Sequence, residues 1–540
     1  MEGVGKRKMI KLLIIGLDGA TFRVINPLSD EGKLPTLKKL ITNGVHGTLE
    51  STFPPVTGPA WPALATGKNP GKTGVFDFLN RISSDGFETK AVSSSEIRKA
   101  KPYWDYLSHA GIKTGVVNYP CLYPPYKING IMVSGLGSDP RDDISYPKEF
   151  KQLLIENCGN YRIVVPWHDP LYTENPSLFV EHIFDLIEIN YKTMQLLLKQ
   201  DLEVITFVIS ASDFTQHYMW RYIDPTHPYY SEEGAEKYKP AFVQIWQRID
   251  KIISLVVKAT SQKTNILIVS DHGFGPHRSS FYTNSWLEKE GYLKKRSELI
   301  KLRQLQRAVA NLIRKISPAL HDKLIKAVQS GRVHSIPVTA EVDFKRSLAF
   351  APVNASLVGK ICLNEPAILS SRGYHDSNVL KDEIIEKLKK TCSNLGVSVR
   401  VYSPDELYLG EYVNLAPNIL FEIDDFECSI YFGFNKEVYQ KPSPNPVYSG
   451  AHKKEGVFIA YGPDIKEEVQ IQGAKIYDIA PTILHMFGLS VPDDMDGRLL
   501  KEIFKEGSEP AQRAVRYQAV DMEREKVKDQ IKKLKESGRL

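Results

Sequence analysis

Three aspartates in this chain stand directly behind apolar runs. Asp18 closes the run 11–17, Asp213 follows the run 202–210 with His217 four residues further on, and Asp271-His272 follows the run 265–270. Taken singly, an aspartate after a strand is more often a helix cap than a ligand, and a lone histidine is usually structural. Recurrence at three strand ends changes that reading, because open α/β sheets bind ligands at the carboxyl ends of their strands. Carboxylates and imidazoles without thiolates suit zinc in catalytic sites, and also manganese or iron. The set is too large for one tetrahedral ion and suits two ions about 4 Å apart, which clamp an attacking and a leaving oxygen.

A hydroxyl stands apart from these groups in sequence. Thr57-Gly58-Pro59 reads as a loop entering a helix, because proline is favoured in a first helical turn. Free N–H groups and the helix dipole would favour an anion there. On local evidence alone the plainer reading of Thr57 is an N-cap.

The elements that must position these residues alternate. Apolar runs at 11–17, 113–118, 202–210, 265–270 and 456–461 are interleaved with helical patterns at 33–43, 102–110, 177–199, 239–260 and 478–488. Continuous apolar strands between helices predict an α/β fold with a mainly parallel sheet covered on both faces. Residues 295–340 are basic, helix-forming and without a buried strand, so they read as a helical insertion or lid. Residues 341–430 read as a small α+β subdomain, with strand-like segments at 348–350, 360–363, 398–402 and 418–423 around a helix at 379–395. The expected organisation is a core in two parts, 8–294 and 431–500, with the insertion and subdomain between them and a charged helical tail at 501–540.

Composition narrows the class. A chain of 540 residues, 42% apolar and 25% charged, is an ordinary globular protein and neither disordered nor collagen-like. Lys+Arg of 70 against Asp+Glu of 64 leaves too small a surplus to argue for binding a nucleic-acid polymer. Cys121, Cys158, Cys362, Cys392 and Cys428 are scattered and odd in number, with no CxxC pair. That argues against a thiolate zinc site or a disulfide framework and points to a reduced, cytoplasmic setting. Lys6-Arg7-Lys8 before an apolar run is signal-peptide-like, but Lys11 interrupts the run and no small-residue cleavage site follows, so a buried strand is expected. No run approaches the roughly 18 apolar residues of a membrane-spanning helix. The sequence leaves the oligomeric state open.

The order of motifs adds a resemblance. It runs through Ile15-Gly-Leu-Asp-Gly19, Thr57 with Thr66-Gly67 nine residues on, Asn69-Pro-Gly-Lys-Thr-Gly74, Asp213-x-x-x-His217 and Ser270-Asp-His-Gly273. It continues through Gly450-Ala-His452, Tyr461-Gly-Pro463, Tyr477-Asp-Ile-Ala-Pro-Thr-Ile-Leu484 and Met495-Asp-Gly-Arg498. Together these resemble the alkaline phosphatase superfamily, in its type I phosphodiesterase/nucleotide pyrophosphatase-like branch. The resemblance implies an alkaline-phosphatase-like three-layer sandwich and two divalent metals, zinc foremost. Asp18, Thr57, Asp271 and His272 would hold one metal; Asp213, His217 and His452 the other. Thr57 would be the nucleophile of a phosphodiesterase, forming a phosphothreonine intermediate. Thr52-Phe53-Pro54 resembles the local nucleophile signature, but the distance to Thr66-Gly67 selects Thr57. The ligand His452 comes from the resemblance alone.

The expected substrate is a small phosphate ester, with the Gly58 N–H and Arg278 as candidate donors to phosphate. The branch's nucleotide pyrophosphatases carry asparagine three residues after the nucleophile, where this chain has Ala60. His277 follows the Asp271 motif and is a candidate to approach substrate. Trp61, Phe76 and Phe78 are candidates for a leaving-group pocket or for core. Phosphomonoesterase and phosphomutase chemistry stay open, because metals and nucleophile do not decide between mono- and diesters. A sulfatase needs Cys/Ser-x-Pro-x-Arg, and Thr57-Gly-Pro-Ala-Trp61 lacks the arginine. Gly67-Lys-Asn-Pro-Gly-Lys-Thr73 is one residue short of a P-loop and follows a helix instead of a strand.

Overall fold

The apolar run before Asp18 forms the strand Leu12–Leu17, every residue of which is buried. Leu13, Ile15 and Leu17 enter one core while Leu12 and Ile14 enter another, as alternation along a strand requires. Gly16 faces the second core where no side chain fits: a Cβ there would lie 2.3 Å from the ring of Trp61. The computed structural model describes residues 9–519, apart from 84–87, 167–171, 173–174, 261–262, most of 297–340, 354–356, 372, 375 and 445–446.

Leu12–Leu17 is central in a nine-stranded sheet. The order is Val469–Lys475, Val45–Glu50, Glu455–Tyr461, Asn265–Val269, Leu12–Leu17, Val204–Ile209, Thr114–Tyr119, Gly130–Ser134 and Ser145–Tyr146. The strands from Asn265–Val269 to Gly130–Ser134 are parallel. Glu455–Tyr461, grouped with the parallel strands by its pattern, runs antiparallel to both neighbours. A strand buried on both faces reads as continuous apolar sequence in either direction, so its pattern carries no polarity.

Helices cover both faces. Phe22–Asp30, Pro35–Thr42, Pro176–Leu197 and Glu232–Ala259 pack on one, and Thr57–Thr66, Tyr103–His109 and Ile479–Met486 on the other. The result is an α/β/α sandwich with a mainly parallel sheet. Glu232–Ala259 starts earlier than its apolar pattern, under a Ser231 cap, and carries Pro240 inside.

The second, smaller sheet is antiparallel, in the order Ala349–Phe350, Gly359–Leu363, Ile419–Ile423, Val399–Tyr402. Helix Ser377–Leu395 covers it with Leu380, Ile384, Leu388 and Cys392, a helical stripe. Phe53, Val56 and Phe76 of the large unit share a cluster with Leu357, Val358, Tyr408 and Leu420 of the small one. The five cysteines are buried and unpaired.

The insertion expected at 295–340 lies almost wholly outside the described residues, as does the tail beyond 519. Up to 519 the tail is not one continuous helix. Ile503 and Phe504 are buried, helix Glu509–Gln512 lasts a single turn, and Tyr517–Gln518 pairs with Val491–Pro492. Arg513 draws this stretch inward by donating to the carbonyls of His485 and Met486. Among the described residues no helix is long and apolar enough to cross a membrane.

Candidate active site

Parallel strands deliver most of the site to one sheet edge. Asp18 follows Leu12–Leu17, and Asp271 and His272 follow Asn265–Val269. After Val204–Ile209 the chain turns into helix Ala211–Met219, where Asp213 and His217 share a face at i and i+4. His452 arrives differently, on the short strand Gly450–Lys453, where it pairs opposite Phe274. The sheet strand Glu455–Tyr461 comes next and is antiparallel, so its beginning lies at the edge where the parallel strands end.

Thr57 is the first residue of helix Thr57–Thr66, and Val56 is its N-cap. The plain N-cap reading of Thr57 is therefore not realised. Its hydroxyl lies 3.5 Å from Asp18 Oδ1 and 3.3 Å from His272 Nε2. From His272 Nε2 the separations are 3.2 Å to Asp271 Oδ2, 3.6 Å to Asp18 Oδ1 and 4.0 Å to Asp213 Oδ1. Asp213 Oδ1 lies 3.5 Å from His217 Nε2 and 3.3 Å from His452 Nε2. All seven expected ligands thus meet in one connected cluster. Two triplets have metal-compatible spacing, Asp213/His217/His452 and Asp18/Asp213/His272.

The imidazoles are held alike. Nδ1 of His217 lies 2.9 Å from the Gly450 carbonyl, that of His272 3.1 Å from Gly273 and that of His452 3.0 Å from Pro55. A carbonyl only accepts, so each Nδ1 donates and each Nε2 is left with a lone pair, the arrangement of a metal-binding histidine. Nε2 of His217 and His452 face each other at 2.9 Å. Asp213 Oδ1 and Asp271 Oδ2 are buried without a hydrogen-bond donor. Converging lone pairs and uncompensated carboxylate oxygens fit divalent cations.

The protonation energetics agree. Burial, then the charges of Asp271 and Asp213, holds the Asp18 carboxyl well above its usual range. Burial likewise lifts Asp271 to about 7. Burial would raise Asp213 too, but the imidazoles of His217 and His452 bring it down to about 2. Burial lowers His217 to about 4 and pushes His272 down as well. His217 and His272 are poised as neutral ligands, and the Asp18 and Asp271 carboxyls are crowded enough to call for positive charge.

Several supports escaped sequence reasoning. Trp61, a candidate for a leaving-group pocket, is fully buried and donates its indole N–H to Asp18 Oδ2 at 3.2 Å. Ser212 donates to the Asp18 carbonyl and Ser51 to that of Asp271. Phe76 is buried beside Tyr408, while Phe78 is half-buried. Arg278, a candidate phosphate donor, is committed elsewhere: to Glu427 at 2.9 Å, to Asp224 at 3.4 Å and to Thr226. His277 is buried between the Tyr448 and Ser279 carbonyls. Thr52 donates to the Pro54 carbonyl. The P-loop-like stretch follows a helix, and its Lys72 pairs with Asp496 at 2.6 Å.

Carboxylates, imidazoles and a helix-start hydroxyl at the strand ends of this sandwich define a hydrolase of the alkaline phosphatase superfamily. More narrowly, the chain belongs to the type I phosphodiesterase/nucleotide pyrophosphatase family, whose model matches residues 12–352. Among solved structures it is similar to human ectonucleotide pyrophosphatase/phosphodiesterase 5, with TM-score 0.50 and 14% identity over 92% of this chain and 100% of that one. The inactive murine protein in complex with AMP gives TM-score 0.51 at 14% identity, covering 92% and 100%. Phosphonoacetate hydrolase from Sinorhizobium meliloti 1021, in complex with phosphonoacetate, gives TM-score 0.52 at 12% identity, covering 88% and 95%. At these identities the likeness is one of fold. No curated protein matches the sequence.

Proposed function

We propose that this protein is a metal-dependent phosphodiesterase that cleaves phosphodiester or pyrophosphate bonds through a phosphothreonine on Thr57. The observation that carries this reading is the Thr57 hydroxyl, 3.5 Å from Asp18 and 3.3 Å from His272 inside the carboxylate and imidazole cluster. Two divalent cations, zinc foremost with manganese or iron as alternatives, would be held by Asp18, Thr57, Asp271 and His272 and by Asp213, His217 and His452, supplying Lewis-acid charge to the hydroxyl and the phosphate.

The chain's own groups divide the remaining work. Thr57 Oγ1 attacks phosphorus; the new O–P bond forms as the bond to the leaving oxygen breaks, and in net balance the hydroxyl proton ends on that oxygen, which departs protonated. Water then cleaves the phosphothreonine, releasing phosphate monoester and restoring the hydroxyl. The Gly58 N–H, in the first helical turn, has no intrahelical acceptor and is available to a nonbridging phosphate oxygen. Trp61 fixes the Asp18 carboxylate, and the three Nδ1–carbonyl bonds fix the imidazoles. AMP bound to the murine neighbour supports nucleotide esters as a substrate class, while Ala60 sets this chain apart from the branch's nucleotide pyrophosphatases.

Comparing kcat/KM on bis-p-nitrophenyl phosphate, p-nitrophenyl phosphate and a nucleotide pyrophosphate tests the reading. A diester or pyrophosphate preference is expected; a clear monoester preference reverses it.

A further inference from the structure

We propose that Lys360, in the small subdomain, is a positioning residue for Thr57 and acts through Asp77. The inference rests on Thr57 being the nucleophile. Lys360 lies in Gly359–Leu363, an otherwise apolar strand with every residue buried. Its ammonium pairs with the Asp77 carboxylate and donates to the Phe76 carbonyl at 3.1 Å. Both side chains are about nine-tenths or more buried, at 4% and 5% exposure. A buried ion pair adds little net stability over an apolar replacement, while losing one partner strands a charge. What this pair supplies is a fixed location for the turn that carries Asp77.

That turn is pinned throughout. Asp77 Oδ1 accepts from the Phe78 N–H at 2.7 Å, and Asn80 Oδ1 accepts from Phe76 at 2.7 Å and Asp77 at 3.3 Å. The peptide between Asp77 and Phe78 lies against Gly58: a Cβ on Gly58 would be 2.9 Å from Phe78 N and 3.0 Å from the Asp77 carbonyl carbon. These are backbone atoms, which cannot swing aside. Gly58 is the neighbour of Thr57 in the first helical turn. Val56, on the other side of Thr57, shares its apolar cluster with Leu357 and Val358 of the subdomain. The subdomain therefore supplies both a wall and a pin for the nucleophile turn.

The test uses the metal-loaded full-length chain with bis-p-nitrophenyl phosphate, expressing kcat per metal-loaded enzyme. Lys360→Met is expected to lower kcat by about 10- to 100-fold, the scale of a small misplacement of reacting groups. KM should stay within about threefold and metal content should be unchanged. Asp77→Asn, nearly isosteric, should act in the same direction, and the double variant should be no worse than the poorer single variant, because the two residues act as one pair. The proposal is overturned by a kcat within about twofold of wild type, by a loss carried by KM or metal content, or by losses that multiply in the double variant. If Lys360→Met does not fold, Asp77→Asn decides alone by the same criteria. Thr57→Ala separates the two readings: turnover persisting there removes the nucleophile assignment, whereas a dead Thr57→Ala beside an unaffected Lys360→Met removes only the positioning role.

Discussion

The Asp18–Thr57–Asp271–His272 side of the site and the Asp213–His217–His452 side meet at the same sheet edge but differ in solvent and in origin. On the first side Asp271 and His272 have no exposed side-chain surface and Asp18 has 2%. On the second, Asp213 and His452 keep 12% and His217 keeps 14%. Charge follows this division. Burial lifts the first side's carboxyls, with Asp271 at about 7, while on the second side the imidazoles outweigh burial and hold Asp213 at about 2. The sealed side thus gathers carboxyls that resist ionisation without a cation, whereas the open side sets one readily ionised carboxylate beside two imidazoles. The sealed side is drawn entirely from residues 18–272, whereas the open side requires residue 452.

The largest test of this contrast is chemical. Thr57→Ala should lower turnover by at least about 10³-fold, as loss of a nucleophile does, while bound metal measured by elemental analysis is kept. Near-normal turnover would remove the nucleophile from the sealed side. Next comes His452→Ala, which should cost about 100-fold or more in turnover and reduce the metal content of the reconstituted protein from two equivalents towards one. A variant still holding two equivalents would show that the open side does not depend on its late-arriving ligand. Fewer than about one equivalent in the wild type would contradict the two-ion arrangement itself.

A pH titration of metal binding separates the sides further. In metal-free protein Asp271, at about 7, must give up its proton to bind an ion. Affinity on the sealed side should therefore fall as pH drops below that value, by about tenfold per unit. On the open side Asp213 is ionised above about 2 and His217 is neutral above about 4, so its ion should persist to lower pH. Simultaneous release of both ions would erase the distinction. The smallest effect is expected from Thr52→Val, which removes only the bond to the Pro54 carbonyl. Stability should fall by about 1 kcal/mol in denaturant titration, with kcat within about threefold of wild type.

The same contrast explains what the sequence made legible. Asp18, Asp213 and Asp271 follow apolar runs, and parallel strands place such residues at one edge, so local pattern found them. The pattern also marked the strands and helix of the small subdomain, because short apolar runs and a helical stripe are local signals. His452 precedes its sheet strand, and only the order of motifs pointed to it. Strand direction depends on pairing with Val45–Glu50 and Asn265–Val269, which lies outside any local window. The Nδ1 acceptors are backbone carbonyls, which no side-chain pattern reveals. Trp61 stayed open between pocket and core because its neighbours in sequence gave no sign that its ring meets Gly16 and its indole N–H reaches Asp18.

The antiparallel strand Glu455–Tyr461 has a consequence for the order in which the molecule is made. It sits between Val45–Glu50 and Asn265–Val269, two strands synthesised long before it. Until it arrives, both present open edges with unpaired backbone groups, the condition under which strands join wrong partners. Closing that gap joins segments far apart in the chain, a long-range pairing of the kind that raises contact order. His452 immediately precedes the closing strand. The chain therefore gains the last residue of its candidate metal cluster just ahead of the strand that makes the central sheet continuous, and a nascent chain that has not closed the sheet lacks the complete cluster.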